Sequence, residues 1–349
     1  MKVALIEISE SHEECLYSQL RFLQAGGHTT DLYLHPNHRA GIDAYRNLAA
    51  SVTWITPGRG LAGAFRLSRR LARYDRVLFN TASSSKFVRN LCVFLLACDV
   101  PCFGILHDTR RLDSSFTQRL ISRKIKDYFV LSDALANTGA KSAQVRLCGF
   151  YPVYFPEYRH SVPRAPGGTI RICIPGRISS ARRDYAELFQ SLSGPDTPEN
   201  LEFILLGRLD PHSETGSEIL GHIRNLGVQH RIRTFDRFLD NGEFHAWVKS
   251  SDYLMPLIPR DGKYLVHKIS GGMNLAYAYR KTLLCSAEFR GYPDFEENAV
   301  WYQPEALASF WQVLATAVPQ PDNAYADPKW DFGFQAQKYL GFLRSDPPK

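Results

Sequence analysis

Short apolar runs alternate with longer helix-period stretches from one end of this chain to the other, in two series separated by a proline-rich segment. The first series occupies residues 2–8, 29–35, 51–56, 75–81, 100–108, 127–133 and 143–150; the second occupies 169–177, 200–208, 230–238, 251–259, 281–286 and 298–302. Runs such as KVALIEI and NLEFILLGR are apolar at consecutive rather than alternate positions, as strands buried on both faces require, so each series predicts a parallel sheet covered by helices. The segment between them, FYPVYFPEYRHSVPRAPGG at 150–168, carries four prolines and two glycines and reads as a linker. The expected fold class is α/β, with two doubly wound Rossmann-like domains facing a central cleft, over 1–158 and 165–330. A helix expected over 331–349 is free to pack back on the first domain, and the Gly26-Gly27 pair is expected to stop the first helix, at about residues 12–25.

A length of 349 residues suits two such cores. Seven cysteines is an odd number, and Cys92, Cys98, Cys148, Cys173 and Cys285 lie in apolar runs, so they read as free thiols in a reducing compartment. MKVALIEISESHEE lacks a signal peptide's long apolar stretch, and the run at 91–106 is broken by Asp99 and Pro101. A cytoplasmic protein is expected. The net charge of +7 favours an anionic partner without choosing among nucleotide, phospholipid and nucleic acid.

Ligands of doubly wound sheets bind beyond the carboxyl ends of the strands. The first strand of the second series ends in Pro175, Gly176 and Arg177, and the next helix is expected to open with Ala181, Arg182 and Arg183. A glycine that admits the backbone and arginines at a helix start suit a diphosphate. In HKISGGMNLAYAYRKTLL, Ser270 caps a helix whose start is left uncovered by Gly271 and Gly272, and Lys268 adds positive charge. An ordinary turn and an ordinary capped helix explain the same residues.

The order of these segments resembles the donor-binding domain of GT-B nucleotide-sugar glycosyltransferases, in particular the retaining family that makes bacterial surface polysaccharides. IPGRISSARRDYAELFQSL is similar to that family's first strand and Gly-Arg turn, with its basic residue on Arg182. FILLGR is similar to the next strand with its terminal glycine, here Gly207, and RIRTFDRFLDNGEFHAWVKSSDYLMPLIP to the stretch around the nucleobase, which puts Phe235 to Phe238 against the base. KISGGMNLAYAYRKTLLCS is similar to the helix that receives the phosphates. The resemblance implies a UDP- or GDP-sugar donor, a glycan or lipid-linked acceptor, and no cofactor or metal. Where the family carries two glutamates spaced E-x-x-x-x-x-x-x-E, this chain has His267 and Leu275, which leaves retention or inversion open. The first half resembles the acceptor domain in GGH and FGILHD; this maps His107 onto the histidine that reaches the donor sugar. Asp108 is a candidate general base, with Glu10, Glu13 and Glu14 as rivals.

Along LAGAFRLSRRLARYD, Arg66, Arg69, Arg70 and Arg73 share one helical face, with Leu61, Ala64, Phe65, Leu67, Leu71 and Ala72 opposite. Such a face is either solvated or set against an anionic membrane bearing a lipid-linked acceptor, at the inner surface. Other classes fit poorly. The turn after the first strand reads ISESHEE rather than the glycine-rich fingerprint of a dinucleotide oxidoreductase, and His35 and His38 have a metal-like spacing without further ligands. No nucleic-acid module is present. A non-catalytic nucleotide-sugar-binding or scaffolding protein is the alternative in a different class.

Overall fold

The computed structural model describes residues 1–58, 60–83, 85–137, 144–164, 166–259, 264–316 and 324–345; Ala143 of the expected seventh strand, Ala165 of the linker and the stretches 319–323 and 346–349 lie outside them. The chain forms two compact units, the first from Met1–Pro156, Leu265–Ile269 and Pro328–Lys349 and the second from Glu157–Tyr264 and Ser270–Asp327. Leu265–Ile269 lies within the second half of the linear sequence yet folds with the first unit.

The first unit runs β1 (Lys2–Glu7), α1 (Leu16–Ala25), β2 (Thr29–Leu34), α2 (Arg39–Ile42), β3 (Ser51–Trp54), α3 (Leu61–Leu71), β4 (Arg76–Phe79), α4 (Lys86–Leu95), β5 (Cys102–Leu106), α5 (Arg111–Ser114), α6 (Phe116–Lys124), β6 (Asp127–Val130), α7 (Asp133–Asn137) and β7 (Arg146–Gly149). All its strands pair in parallel in the order β3-β2-β1-β4-β5-β6-β7. The second unit runs β8 (Ile170–Pro175), α8 (Tyr185–Leu192), β9 (Leu201–Arg208), α9 (Glu214–Asn225), β10 (Ile232–Phe235), α10 (Asn241–Ser250), β11 (Tyr253–Leu254), α11 (Gly271–Tyr279), β12 (Thr282–Ser286), β13 (Ala299–Tyr302) and α12 (Leu307–Thr316). Its parallel order is β10-β9-β8-β11-β12-β13. Both sheets reverse direction of assembly beside their first strand, at β1/β4 and β8/β11, and such switch points are where α/β sheets open to ligands.

Every expected strand forms, although the run at 251–259 yields only Tyr253–Leu254. Gly26 and Gly27 do close α1: His28 N donates to Leu23 O and Gly27 N to Gln24 O, with Gly27 at φ 67°, a Schellman ending that uses glycine's left-handed freedom. The central strands β5 and β8 are buried along their whole length.

The last helix, α13 (Phe332–Arg344), belongs to the first unit. Its Tyr339 ring stacks on Phe129 at 4.4 Å and its hydroxyl donates to Gln19 Oε1 at 3.0 Å, while Phe342 meets Phe129 edge-on at 5.0 Å. In the second unit Ile172, Ile174, Phe189, Phe203, Leu205 and Trp311 form the core. Trp311 meets the polar need of its buried indole by donating to Ser191 Oγ at 2.9 Å.

Two expectations about helices need correction. Ala181, Arg182 and Arg183 do not open a helix; they lie in a turn, and α8 begins at Tyr185 with Asp184 as its cap, accepting from Glu187 N at 3.1 Å. The carboxylate already occupies the positive end of that helix, so an anion is not drawn there. On α3, Ala64, Leu67, Ser68 and Leu71 are buried, whereas Leu61, Phe65 and Ala72 face outward. A helix of this kind buries a narrower stripe than its apolar residues span, because α4 covers only one side.

Candidate functional site

The carboxyl end of the second sheet is shaped by glycines. Gly176 follows β8 at φ 105°, a conformation that a side chain resists, and its N–H donates to Leu206 O at 2.9 Å. Gly207 in β9 lies so close that a Cβ there would be 2.3 Å from Gly176 O. Beside them, Ser270 caps α11, and a Cβ on Gly272 would come within 3.1 Å of Pro175 Cγ, which puts the helix start next to the end of β8. A Cβ on Gly271 would meet open space. The structure thus brings Gly176, Gly207, Ser270, Gly271 and Gly272 to one sheet end, where Gly271 at the helix start is exposed while the Gly176 and Gly272 N–H groups are spent on Leu206 O and Ser270 Oγ.

The arginines divide into two kinds. Arg177 and Arg182 are exposed on the turn. Arg183, which no sequence signal sets apart from its neighbours, is buried and donates to the carbonyls of Pro175 and Pro256, joining the ends of β8 and the β11 segment. Burial holds its pKa below the usual arginine value, and its Nε has no partner among the described residues. Phe235 ends β10 with its ring edge-on to Trp247 at 5.5 Å, and Leu209 N donates to its carbonyl. Phe238, three positions on, is 80% exposed. Lys268 lies in the segment that folds with the first unit, where its charge helps hold Asp108 ionised.

At the carboxyl end of the first sheet, His107 and Asp108 follow β5. His107 Nε2 donates to Asn80 O at 2.9 Å, and burial, reinforced by the charge of His12, pushes its pKa down to about 4. Asp108 accepts from Arg110 N at 3.1 Å and from the Arg110 guanidinium on both carboxylate oxygens. Burial opposes its charge, but Arg110 prevails and keeps its pKa below the ordinary value, so it is a weak base. His267 O accepts from Thr109 N at 3.0 Å, and its Nδ1 lies 3.2 Å from Thr109 Oγ1, tying Leu265–Ile269 to the same loop.

Beside them, Glu7 at the end of β1, His12 in the turn after it and Asn80 just after β4 form a cluster that sequence reasoning missed. Asn80 is fully buried: its Nδ2 donates to Glu7 Oε2 at 2.6 Å and His12 O at 2.7 Å, and its Oδ1 accepts from Gln19 at 2.6 Å. Glu7 also accepts from Thr81 Oγ1 and from Ser9 N and Oγ. His12 stacks on His107 with ring centroids 3.7 Å apart and planes 18° from parallel, and its Nδ1 faces Glu14 Oε1 at 3.3 Å. Both nitrogens of His38 face acceptors, Ser9 O at 2.7 Å and Glu13 Oε2 at 3.4 Å, which favours imidazolium. Among the described residues no three His, Cys, Asp or Glu side chains are grouped as for a metal ion.

Arg66, Arg69, Arg70 and Arg73 are all exposed on or just after α3. Next to them Leu61 is 59% and Phe65 48% exposed, and on the adjoining α4 and its end Val93 and Leu96 are exposed too. Phe65 meets Phe94 edge-on at 5.4 Å, so the face mixes arginines with apolar groups. No described helix is long and apolar enough to cross a membrane.

No protein-family model matches the chain, and no curated protein matches it in sequence. Solved structures do match. Anabaena HepE, solved with UDP, aligns at TM-score 0.71 and 13% identity over 98% of this chain and 99% of its own. The lipopolysaccharide outer core galactosyltransferase WaaB aligns at 0.63 and 15% over 98% and 99%. A UDP-N-acetylglucosamine 2-epimerase aligns at 0.62 and 12% over 100% and 98%. At these identities the likeness is one of architecture. With two parallel Rossmann-like sheets in these strand orders and structural matches over nearly its whole length, the chain has the GT-B fold.

Proposed function

We propose that this protein is a glycosyltransferase that takes a sugar from a nucleoside diphosphate sugar held by its second unit and passes it to a glycan or lipid-linked acceptor. The observation that carries the reading is the convergence of Gly176, Gly207 and the uncovered, Ser270-capped start of α11 on one sheet end. The glycines let a diphosphate approach the exposed start of α11 at Gly271, with Arg177 and Arg182 to meet its charge in place of a metal. Phe238 is available to the base. HepE binds UDP and UDP-glucose on the same architecture, which makes a uridine donor the first to try; a GDP-sugar is the alternative.

The test is a thermal-shift and calorimetry panel of UDP-, GDP-, ADP- and dTDP-sugars with and without EDTA. A ligand at 100 times its Kd stabilises the native state by about 2.7 kcal/mol. Arg182→Ala and Arg177→Ala should each weaken binding by about 1.5–3 kcal/mol through loss of a charge-assisted bond to phosphate. Unchanged affinity in both would remove them from the site. Stabilisation by no nucleotide sugar would remove the donor assignment itself.

We further propose that the α3 face rests on an anionic membrane, where a lipid-linked acceptor for surface polysaccharide synthesis is presented. Each basic residue near such a surface contributes about 1 kcal/mol, and exposed apolar side chains at the same place add to it. Wild-type protein should co-sediment with phosphatidylglycerol vesicles at low salt and release at high salt. A variant with Arg66, Arg69, Arg70 and Arg73 changed to glutamine should remain in solution; equal sedimentation of the two would leave this helix as a solvated surface.

A further inference from the structure

Two buried polar groups beside the start of α8 go unanswered, and both belong to one cavity of the second unit. Arg183 is 8% exposed and Tyr185 2%. Arg183 spends Nη1 and Nη2 on the carbonyls of Pro256 and Pro175, while its Nε has no hydrogen-bond partner among the described residues. The Tyr185 hydroxyl has none there either. Burial pushes that hydroxyl up to about 12, although the neighbouring Arg183 charge draws it down, so it stays protonated and can donate. Buried polar groups in folded proteins are satisfied with few exceptions, and each exception calls for a partner. Two at one place call for the same one.

Both residues line a cavity of about 260 Å³ between α8 and α9, below the roughly 300–1,000 Å³ of pockets for drug-sized ligands. A small molecule fits it. Phe189 and Ile219 form its apolar wall; Tyr185 stacks on Phe189 at 5.8 Å, and His222 meets the same ring edge-on at 5.9 Å. Asp184 and the exposed Glu218 add carboxylates. Neither Gly176, Gly207 and Phe238 nor the start of α11 lines this cavity, so it is not the sheet end assigned above to the diphosphate.

The charges select the ligand. Arg183 is a buried cation with no carboxylate paired to it among the described residues, and desolvation works against its charge. An anionic group accepting from Nε would offset that cost. A carboxylate has two oxygens, one to accept from Nε and one from the Tyr185 hydroxyl. A lone anion is opposed, because Asp184 already caps α8 and Glu218 adds a second charge of the same sign. A phosphate, with about 1.5–2 negative charges, is opposed more strongly than a carboxylate with one. An ammonium on the same molecule removes the conflict. We infer that this cavity binds a small zwitterion, its carboxylate on Arg183 Nε and Tyr185 Oη, its ammonium toward Glu218 and Asp184, and its apolar carbons on Phe189 and Ile219.

Tyr185→Phe separates this role from a structural one. The ring and its stacking on Phe189 are kept, and only the unpartnered hydroxyl is lost. Removing a buried polar group that has no partner does not weaken the fold, whereas removing a donor to a bound carboxylate weakens binding. The variant should therefore melt at or above the wild-type temperature without ligand and bind the zwitterion about tenfold more weakly. Glu218→Gln acts at the other end of the ligand. It should narrow the preference for a zwitterion over the same acid without its amine by about threefold, as loss of one exposed charge contact does.

The experiment follows melting temperature and calorimetric binding of the full chain with L-alanine, L-leucine, β-alanine and 4-aminobutyrate. Each is matched with the acid that lacks its amine: propionate for both alanines, 4-methylpentanoate for leucine and butyrate for 4-aminobutyrate. The expected result is saturable stabilisation by at least one zwitterion, stronger than by its matched acid, with the two changes above in Tyr185→Phe and Glu218→Gln. The inference is overturned by the absence of a saturable shift with all of these zwitterions, by a matched acid that binds as tightly as its zwitterion, or by unchanged affinity in Tyr185→Phe. Should Tyr185→Phe fail to fold, the exposed Glu218→Gln decides, and an unchanged preference overturns the inference. Each of these outcomes leaves the donor assignment standing, since that is tested with nucleotide sugars.

Discussion

Replacing Arg183 by methionine is expected to destabilise the second unit by about 2–4 kcal/mol and to lower its melting temperature by about 6–12 °C. The guanidinium lies in the interior and donates to the carbonyls of Pro175 and Pro256. Methionine fills much of the volume but donates nothing, and each orphaned buried carbonyl costs about 1–3 kcal/mol. Part of the loss is offset, because the desolvation that holds the Arg183 pKa down is removed with the charge. Nucleotide affinity should fall too, since Pro175 leads into Gly176 and a Cβ on Gly176 would be 2.9 Å from Arg183 Nη2. Calorimetric unfolding of Arg183→Met beside Arg183→Lys checks this: a lysine retains charge but cannot span both carbonyls and should restore little. A methionine variant within about 0.5 kcal/mol of wild type would show that the tie is dispensable.

The second large effect is expected from Gly207→Ala, and its control is Gly271→Ala. An alanine Cβ at position 207 would sit 2.3 Å from Gly176 O and 3.2 Å from Ile178 Cγ1. The obstructing atom is backbone, in a residue already at φ 105° and tied to Leu206 O, so relief must come from moving the turn. Overpacking of this kind costs about 1–3 kcal/mol, and a displaced Gly176 turn should lower nucleotide affinity at least about tenfold, or about 1.4 kcal/mol. At Gly271 an added methyl meets nothing and alanine suits a helix better. Its stability should be unchanged or slightly higher, while affinity drops if phosphate rests on the start of α11. Equal affinities for Gly271→Ala and wild type would place the phosphates elsewhere.

The apolar runs located every strand of both sheets because burial on both faces is written in consecutive residues, and the Gly26-Gly27 stop was legible because a Schellman ending needs glycine at one position. The turn holding Arg182 and Arg183 was misread for an equally local reason. Asp184 is a strong cap, and it starts α8 later than the arginines suggested. Leu61 and Phe65 show the complementary limit: periodicity gives a helix face but not how much of it a neighbour covers.

What the sequence determined by itself was therefore the α/β class, the succession of strands and helices and the two series that build two sheets. Tertiary structure decided the rest. Strand order brought the ends of β1, β4 and β5 together, and only then did Asn80 become the hub that joins Glu7, His12, Gln19 and His107. The same packing seats Tyr339 of the last helix against Gln19, 320 positions earlier, and buries Arg183 while Arg182 beside it stays exposed. The physical reason is range: propensity, capping and hydrophobic period act over a few residues, whereas burial, ion pairing and the pKa of a side chain depend on neighbours that only the assembled sheet supplies.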